Sequence, residues 1–167
     1  MKSFTIKCLT FLSALTFALA CQPPDCDRPD CGSCGNACCT LKFTLFNKSP
    51  KEAYNDMTKA LTAGGADGRY TFIAGSDNTK YNISCLYQIQ GWHTTLEHHY
   101  NDTLNFSIYG NPDGPASSSL VTAFSISQIA GALCDAGQNY KNLVGYFKGL
   151  KIPYARADVF GCQNPNP

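Results

Sequence analysis

The sequence predicts an α+β fold: a single antiparallel sheet with two helices on one face, preceded by an irregular N-terminal loop stapled by disulfides. Three observations carry that prediction. Strand-like alternation recurs in several short runs, helical segments bracket those runs, and six of the 10 cysteines crowd into CQPPDCDRPDCGSCGNACC. No repeat of fixed period and no linker divides the 167 residues. The expected organisation is a leader at 1–20, a Cys-rich loop at 21–40, one α+β domain at 41–150 and an irregular tail at 151–167.

The chain opens MKSFTIKCLTFLSALTFALA. Lys2 and Lys7 make a basic start, Cys8 to Ala18 is largely apolar, and Ala18-Leu19-Ala20 is a small-x-small cleavage site, the pattern of a secretory signal peptide. The apolar run is short for a transmembrane span, and no second candidate follows. Secretion to the extracellular space is therefore expected. Cleavage removes two of the 13 basic residues and none of the 12 acidic ones, leaving a nearly neutral chain. Without a basic stripe, nucleic acid and anionic membrane are poor partners.

Cys21, Cys26, Cys31, Cys34, Cys38 and Cys39 are separated by Pro23, Pro24, Pro29, Gly32 and Gly35, which prevent a helix or strand. In an exported chain this composition reads as a disulfide-stapled loop with many possible pairings. Cys31-Gly-Ser-Cys34 has redox spacing but lacks the leading strand and following helix, and a zinc site lacks its second ligand pair. Cys85, Cys134 and Cys162 bring the count after the leader to nine, so one cysteine has a different fate. Cys21, the first residue after cleavage, is the candidate, with bacterial-type lipidation as the alternative to a disulfide.

Leu41 to Phe46 alternates and predicts the first strand. Ser49-Pro50-Lys51-Glu52 is a capping box with Pro at the first helical position, and Ala53, Tyr54, Met57 and Leu61 give that helix its apolar stripe. Gly64-Gly65 ends it. Strands are expected at Arg69 to Ala74 and Tyr81 to Gln90, with a bulge or turn at Gly91 and more strand from Trp92 to His99. Another strand is expected at Asp102 to Tyr109. Asn111-Pro112-Asp113-Gly114 is a turn signal. The strand from Ser119 sends Leu120, Phe124 and Ile126 to one side and Val121, Ser125 and Ser127 to the other. The last helix starts behind Asp135, an N-cap residue, with Ala136, Tyr140, Leu143, Val144 and Phe147 on its apolar face and Gly149 at its end. That helix is expected to cover the Leu120, Phe124 and Ile126 side.

The N-glycan acceptor pattern occurs at Asn47, Asn82, Asn101 and Asn105, with Asn82 and Asn105 expected on the solvated faces of their strands. His93, Glu97 and His99 are expected on one strand face, with Asp102 and His98 close by. They form the only hydrolase candidate, and the spacing matches no helical or H-x-H metal pair. Ser125 and Ser127 lie outside a nucleophile elbow and are expected on an exposed face. Gln138 and Asn139 are expected on the polar side of their helix. No catalytic residue, cofactor-binding fingerprint or metal site is assigned.

Asn101-Asp102 leading a strand with Phe106, then Ser125-Ile126-Ser127, then Asp135-Ala136-Gly137-Gln138-Asn139 resemble an uncharacterised family of small α+β domains found in bacteria and algae, a domain of unknown function. The resemblance spans Asn101 to Lys148. Family members carry paired acids at the first piece and basic residues around the serines, where this chain has Asn101, Ala123, Ile126 and Gln128. It implies the strand-turn-helix arrangement and no activity.

The functional expectation is a secreted, disulfide-rich glycoprotein with a non-enzymatic binding or extracellular-matrix role. Its partner would be an extracellular protein, matrix or a small apolar ligand. The alternatives are a small-ligand carrier, with an aromatic pocket of Tyr54, Tyr87, Phe106 and Phe124 between sheet and helices, and a small hydrolase.

Overall fold

The computed structural model describes residues 37–129 and 135–162, with 158–160 by backbone alone. The expected leader, Cys21 to Cys34 and Cys134 lie outside the described residues. Along the chain run β1 (Cys38–Leu45), α1 (Pro50–Thr62), β2 (Tyr70–Asp77), β3 (Cys85–Thr94), β4 (Asn101–Gly110), β5 (Ser119–Ser127), α2 (Gln138–Leu150) and β6 (Tyr154–Phe160). The six strands form a single sheet in the order β2-β3-β4-β5-β1-β6, every pair antiparallel. After β1, the chain crosses through α1 to the far edge, returns as a four-strand meander, and crosses through α2 to lay β6 beside β1.

The capping box forms as expected. The Ser49 amide donates to Glu52 Oε2 at 2.9 Å, and the Glu52 amide donates to Ser49 Oγ at 3.5 Å. Ala53, Met57 and Leu61 are buried, which is the expected stripe. α2 starts later than expected, at Gln138, with Gly137 at the cap position in a left-handed conformation and Ala136 exposed outside the helix. Asp135 still serves the helix start. Its Oδ1 accepts from the Gly137 amide at 2.9 Å and its Oδ2 from the Asn139 amide at 2.7 Å.

One main core joins strands and helices: Leu41, Phe43, Ile89, Leu104, Phe106, Ile108, Val121 and Ala123 from the sheet, Met57 and Leu61 from α1, Leu143, Tyr146 and Phe147 from α2. Phe43 and Phe147 stack with centroids 3.6 Å apart, and the Tyr146 hydroxyl donates to the Met57 carbonyl at 2.5 Å, fastening α2 to α1. Gly91 lies within β3, not at a turn. A Cβ there would meet the Thr71 carbonyl oxygen at 2.9 Å and a Leu61 methyl at 3.0 Å, so only glycine admits α1 so close, and the β2–β3 register shifts opposite it, between Phe72 and Ala74, as the bulge alternative expected.

Four expectations are corrected. Residues after Lys151 are not all irregular: 154–160 pair with β1 as β6, and Cys39 bonds to Cys162. Cys38 and Cys39 belong to β1 and not to a loop, and Cys38 is itself disulfide-bonded. β3 ends at Thr94, because the chain turns over Thr95 to Tyr100 with the Thr95 amide donating to the Tyr100 carbonyl at 2.8 Å. Finally, β5 turns Val121, Ala123, Ser125 and Ser127 toward α2, while Phe124 and Ile126 form a separate cluster with Cys38. The large rings of Tyr146 and Phe147 need small partners below them, and Val121 and Ala123 provide that space.

Candidate functional site

Side chains alternate along strands, so the antiparallel register sorts one sheet face into rows. Tyr87, Ile108, Val121 and Phe43 make one row, and Ile89, Phe106, Ala123 and Leu41 the next. The composition then changes. Gly91, Leu104, Ser125 and Cys39 follow, and the final row is Tyr70, His93, Asp102 and Ser127. This apolar face becomes polar at one end while staying buried: Asp102 is 3% exposed, His93 2%, and Ser125 fully covered.

α2 mirrors that change. Its later turns bury Leu143, Tyr146 and Phe147, whereas its first turns bury Asn139 and Asn142. Buried polar groups need partners, and these have them. Asn142 Nδ2 donates to Asp102 Oδ2 at 2.7 Å and to Ser125 Oγ at 3.3 Å, and Asn142 Oδ1 accepts from Gln138 Nε2 at 2.6 Å. Asn139 Oδ1 accepts from Ser125 Oγ at 2.5 Å. Asn139 Nδ2 donates to Asp135 Oδ2 at 2.7 Å, the Ala37 carbonyl at 2.9 Å and Ser127 Oγ at 3.1 Å. Tyr70 adds a hydroxyl donated to the Asn142 carbonyl at 2.7 Å.

Burial raises the pKa of Asp102 above the usual aspartate value, although the hydrogen bonds from Asn142 and Ser127 and the proximity of His93 all work against it. Beside it, His93 Nε2 lies 3.0 Å from Asp67 Oδ2, which also accepts from Arg69 at 2.8 Å. Partial burial alone would raise Asp67, but its bonds to His93 and the Arg69 amide, with their charges, bring it below the usual value. His93 Nδ1 is buried without a hydrogen-bond partner.

This polar end opens into a cleft of about 620 Å³. Asp102, Ser127 and Asp135 contribute its polar surface, with Arg69 and Gln138 beside them. Its exposed rim carries three large apolar residues, Leu96 at 71%, Tyr100 at 48% and Ile129 at 41%, with Glu97 and His98 between the first two. The Thr95–Tyr100 turn that carries much of this rim is closed by the Tyr100 amide donating to Thr95 Oγ1 at 3.0 Å, and His98 stacks on Tyr100 at 5.3 Å.

The expected strand face of His93, Glu97 and His99 does not form, although Glu97 and His98 line the cleft with Asp102. His93 points into the buried row, whereas Glu97, His98 and His99 are exposed on the turn, His99 with φ of 54°. Ser125 and Ser127, expected on an exposed face, lie in the buried network instead. Ser125 hydrogen-bonds to amide groups and not to an imidazole. Gln138 and Asn139, expected on the polar side of α2, face the same network. Nor do the four aromatic residues share a pocket: Tyr54 stacks on Tyr87 at 4.9 Å, Phe106 packs on Tyr146, and Phe124 lies in the other cluster. Among the described residues, no group of three His, Cys, Asp or Glu side chains is placed to hold a metal, and no helix is long and apolar enough to cross a membrane.

Of the acceptor asparagines, Asn47 and Asn82 are exposed with positive φ, Asn82 in the turn ahead of β3 and not on a strand. Asn101 is half-buried and accepts from Thr94 Oγ1 at 2.8 Å. Asn105 is 1% exposed, and its Oδ1 accepts from Gln90 at 3.3 Å. The thiol of Cys85 is buried and donates to the Tyr87 carbonyl at 3.4 Å.

Sequence reasoning passed over Asp102, Asn139 and Asn142 as a set. The signal was present: Asn139, Asn142 and Tyr146 share a helical stripe by their i, i+3, i+7 spacing. Asp102 shares the parity of Leu104, Phe106 and Ile108. The three short pieces on which the family resemblance rested, around Asp102, Ser125 to Ser127, and Asp135 to Asn139, meet in this one network. No family model, no curated protein and no solved structure matches this chain.

Proposed function

We propose that this protein is a secreted, disulfide-stapled glycoprotein that works by binding, and that it holds a small ligand in the cleft at the Asp102 end of the sheet. The observation that carries this reading is the pairing of a buried, hydrogen-bonded polar floor with an exposed apolar rim. Ligand sites combine a mostly apolar wall with a few fixed polar groups, and 620 Å³ is within their usual range. The signal-like residues 1–20 and the cysteine-rich stretch support export. Exposed Asn47 and Asn82 and half-exposed Asn101 are the acceptors best placed to carry glycans, with Asn105 the least accessible of the four.

We read both helices as packed on the same sheet face. The Tyr146–Met57 bond and the shared core support this. The cleft then lies where the layer ends, beyond the first turn of α2. On the same reading, the resemblance to the small α+β domain family reflects a common polar floor.

Nile red, a neutral dye that brightens on apolar surfaces, tests the site without assuming ligand charge. Fluorescence is expected to saturate at one dye per chain in the native protein. Replacing Leu96→Ser together with Tyr100→Ser, on an exposed turn outside the core, is expected to abolish saturation. Saturation unchanged by those substitutions, or none in the native protein, would refute the cleft as a binding site.

A further inference from the structure

We propose that the ligand held in this cleft is an amphiphilic organic cation, its ammonium paired with Asp102 and its apolar body lying against Leu96, Tyr100 and Ile129. The inference rests on the cleft being a binding site, and it assigns the chemistry of the occupant from the charges there.

Asp102, Glu97 and Asp135 bring three carboxylates to the cleft, while Arg69 is already bonded to Asp67. Asp135 is only half-buried, so water still reaches it beside the Gly137 and Asn139 amides and the Asn139 side chain that it accepts from. Asp102 differs. It is 3% exposed, its hydrogen bonds come from the neutral side chains of Asn142 and Ser127, and among the described residues it forms no ion pair. A carboxylate removed from water is costly unless a cation meets it, and the neutral donors supply only part of that compensation. An ammonium arriving from the open side would complete it.

Other ligand classes fit less well. An anion would face Asp102 and Glu97, and among the described lining residues the only lysine or arginine is Arg69, already paired with Asp67. A bare metal ion finds no three-ligand set among the described residues and would leave the apolar rim without a role. A wholly apolar ligand would bury Asp102 further with nothing to compensate it. An amine on an apolar frame uses both halves of the cleft.

Three indoles of similar size separate these cases: tryptamine is cationic at pH 7, tryptophol neutral and indole-3-propionate anionic. Calorimetric titration of the full chain is expected to rank them in that order, with tryptamine about tenfold tighter than tryptophol, a difference of about 1.4 kcal/mol. Asp102→Asn is expected to bring tryptamine down to the affinity of tryptophol while leaving tryptophol unchanged. Glu97→Gln, on the exposed turn, is expected to weaken tryptamine only slightly, by about twofold or less, since exposed charges are screened. The ranking needs no variant, so it decides the matter even if Asp102→Asn does not fold. Equal affinity for tryptamine and tryptophol, or no binding of any indole, would overturn the cationic assignment, and saturable Nile red binding would show that the cleft reading survives it. Tryptamine selectivity that persists in folded Asp102→Asn would overturn the role of Asp102.

Discussion

Replacing Phe147 by alanine is expected to destabilise the fold by about 3–5 kcal/mol, the range for truncating a fully buried aromatic residue. Phe147 is the point where α2 joins the sheet. It stacks on Phe43 at 3.6 Å and meets Phe106, Tyr146 and Tyr154 edge-on at 6.0, 5.6 and 6.1 Å. Those neighbours come from β1, β4, α2 and β6, so no single element can move to fill the cavity. Urea denaturation measures the loss, and a fall in midpoint with an unchanged slope would identify it as lost stability. A cost below about 1 kcal/mol would mean that α2 is not anchored at this ring.

The second large effect is expected from Cys39→Ala with Cys162→Ala, which removes a bond closing a sequence separation of 123 residues. Loop-closure entropy puts that loss at about 3–5 kcal/mol. The pairing also explains why β6 forms. An edge strand preceded by Pro153 has little local drive to order, and in Tyr154 to Phe160 charged residues interrupt the apolar ones. Its partner β1 and the covalent tie at Cys162 supply what the local sequence lacks. The double alanine variant is expected to lose amide-exchange protection first in β6. Loss of protection that began in β3 or β4 would contradict this account.

These two positions also mark what local sequence could convey. The capping box, the stripe of α1 and the alternation in β4 and, from Cys85 onward, in β3 rest on neighbours a few residues apart and are legible, whereas Tyr81 and Ile83, expected in the same strand, precede it and are exposed. β6 depends on a partner strand more than a hundred residues earlier, so nothing near Tyr154 revealed it. The facing of β5 was misread because Leu120, Phe124 and Ile126 are larger than Val121 and Ala123. Size suggested the core, yet the helix rings required the smaller set.

The candidate site suffered from the same distance problem. His93, Asp102, Ser127 and Asn142 come from three strands and a helix, and only the register brings them together. Each alone read as an ordinary polar position. The clustering of His93, Glu97 and His99 in sequence pointed elsewhere, to a strand face that the turn at Thr95 breaks up.

On the proposed reading, Asp102 is kept for a ligand and not for the fold. Burial raises its pKa in the folded protein above the usual aspartate value, with His93 on β3 working to lower it and Asp135 ahead of α2 to raise it. A raised carboxylate pKa means that the folded chain holds a proton the unfolded chain has released. Stability is therefore lost as pH climbs from the unfolded value through the folded one, and the penalty is complete above that. Ligand-free protein and Asp102→Asn should be compared by urea denaturation from pH 3 to pH 7. The asparagine variant is expected to be the more stable at pH 7, and its advantage to close as the pH falls through the raised folded value toward 3.8. A native protein more stable than the variant at pH 7 would show instead that the carboxylate holds the fold together, and the case for a ligand there would fail.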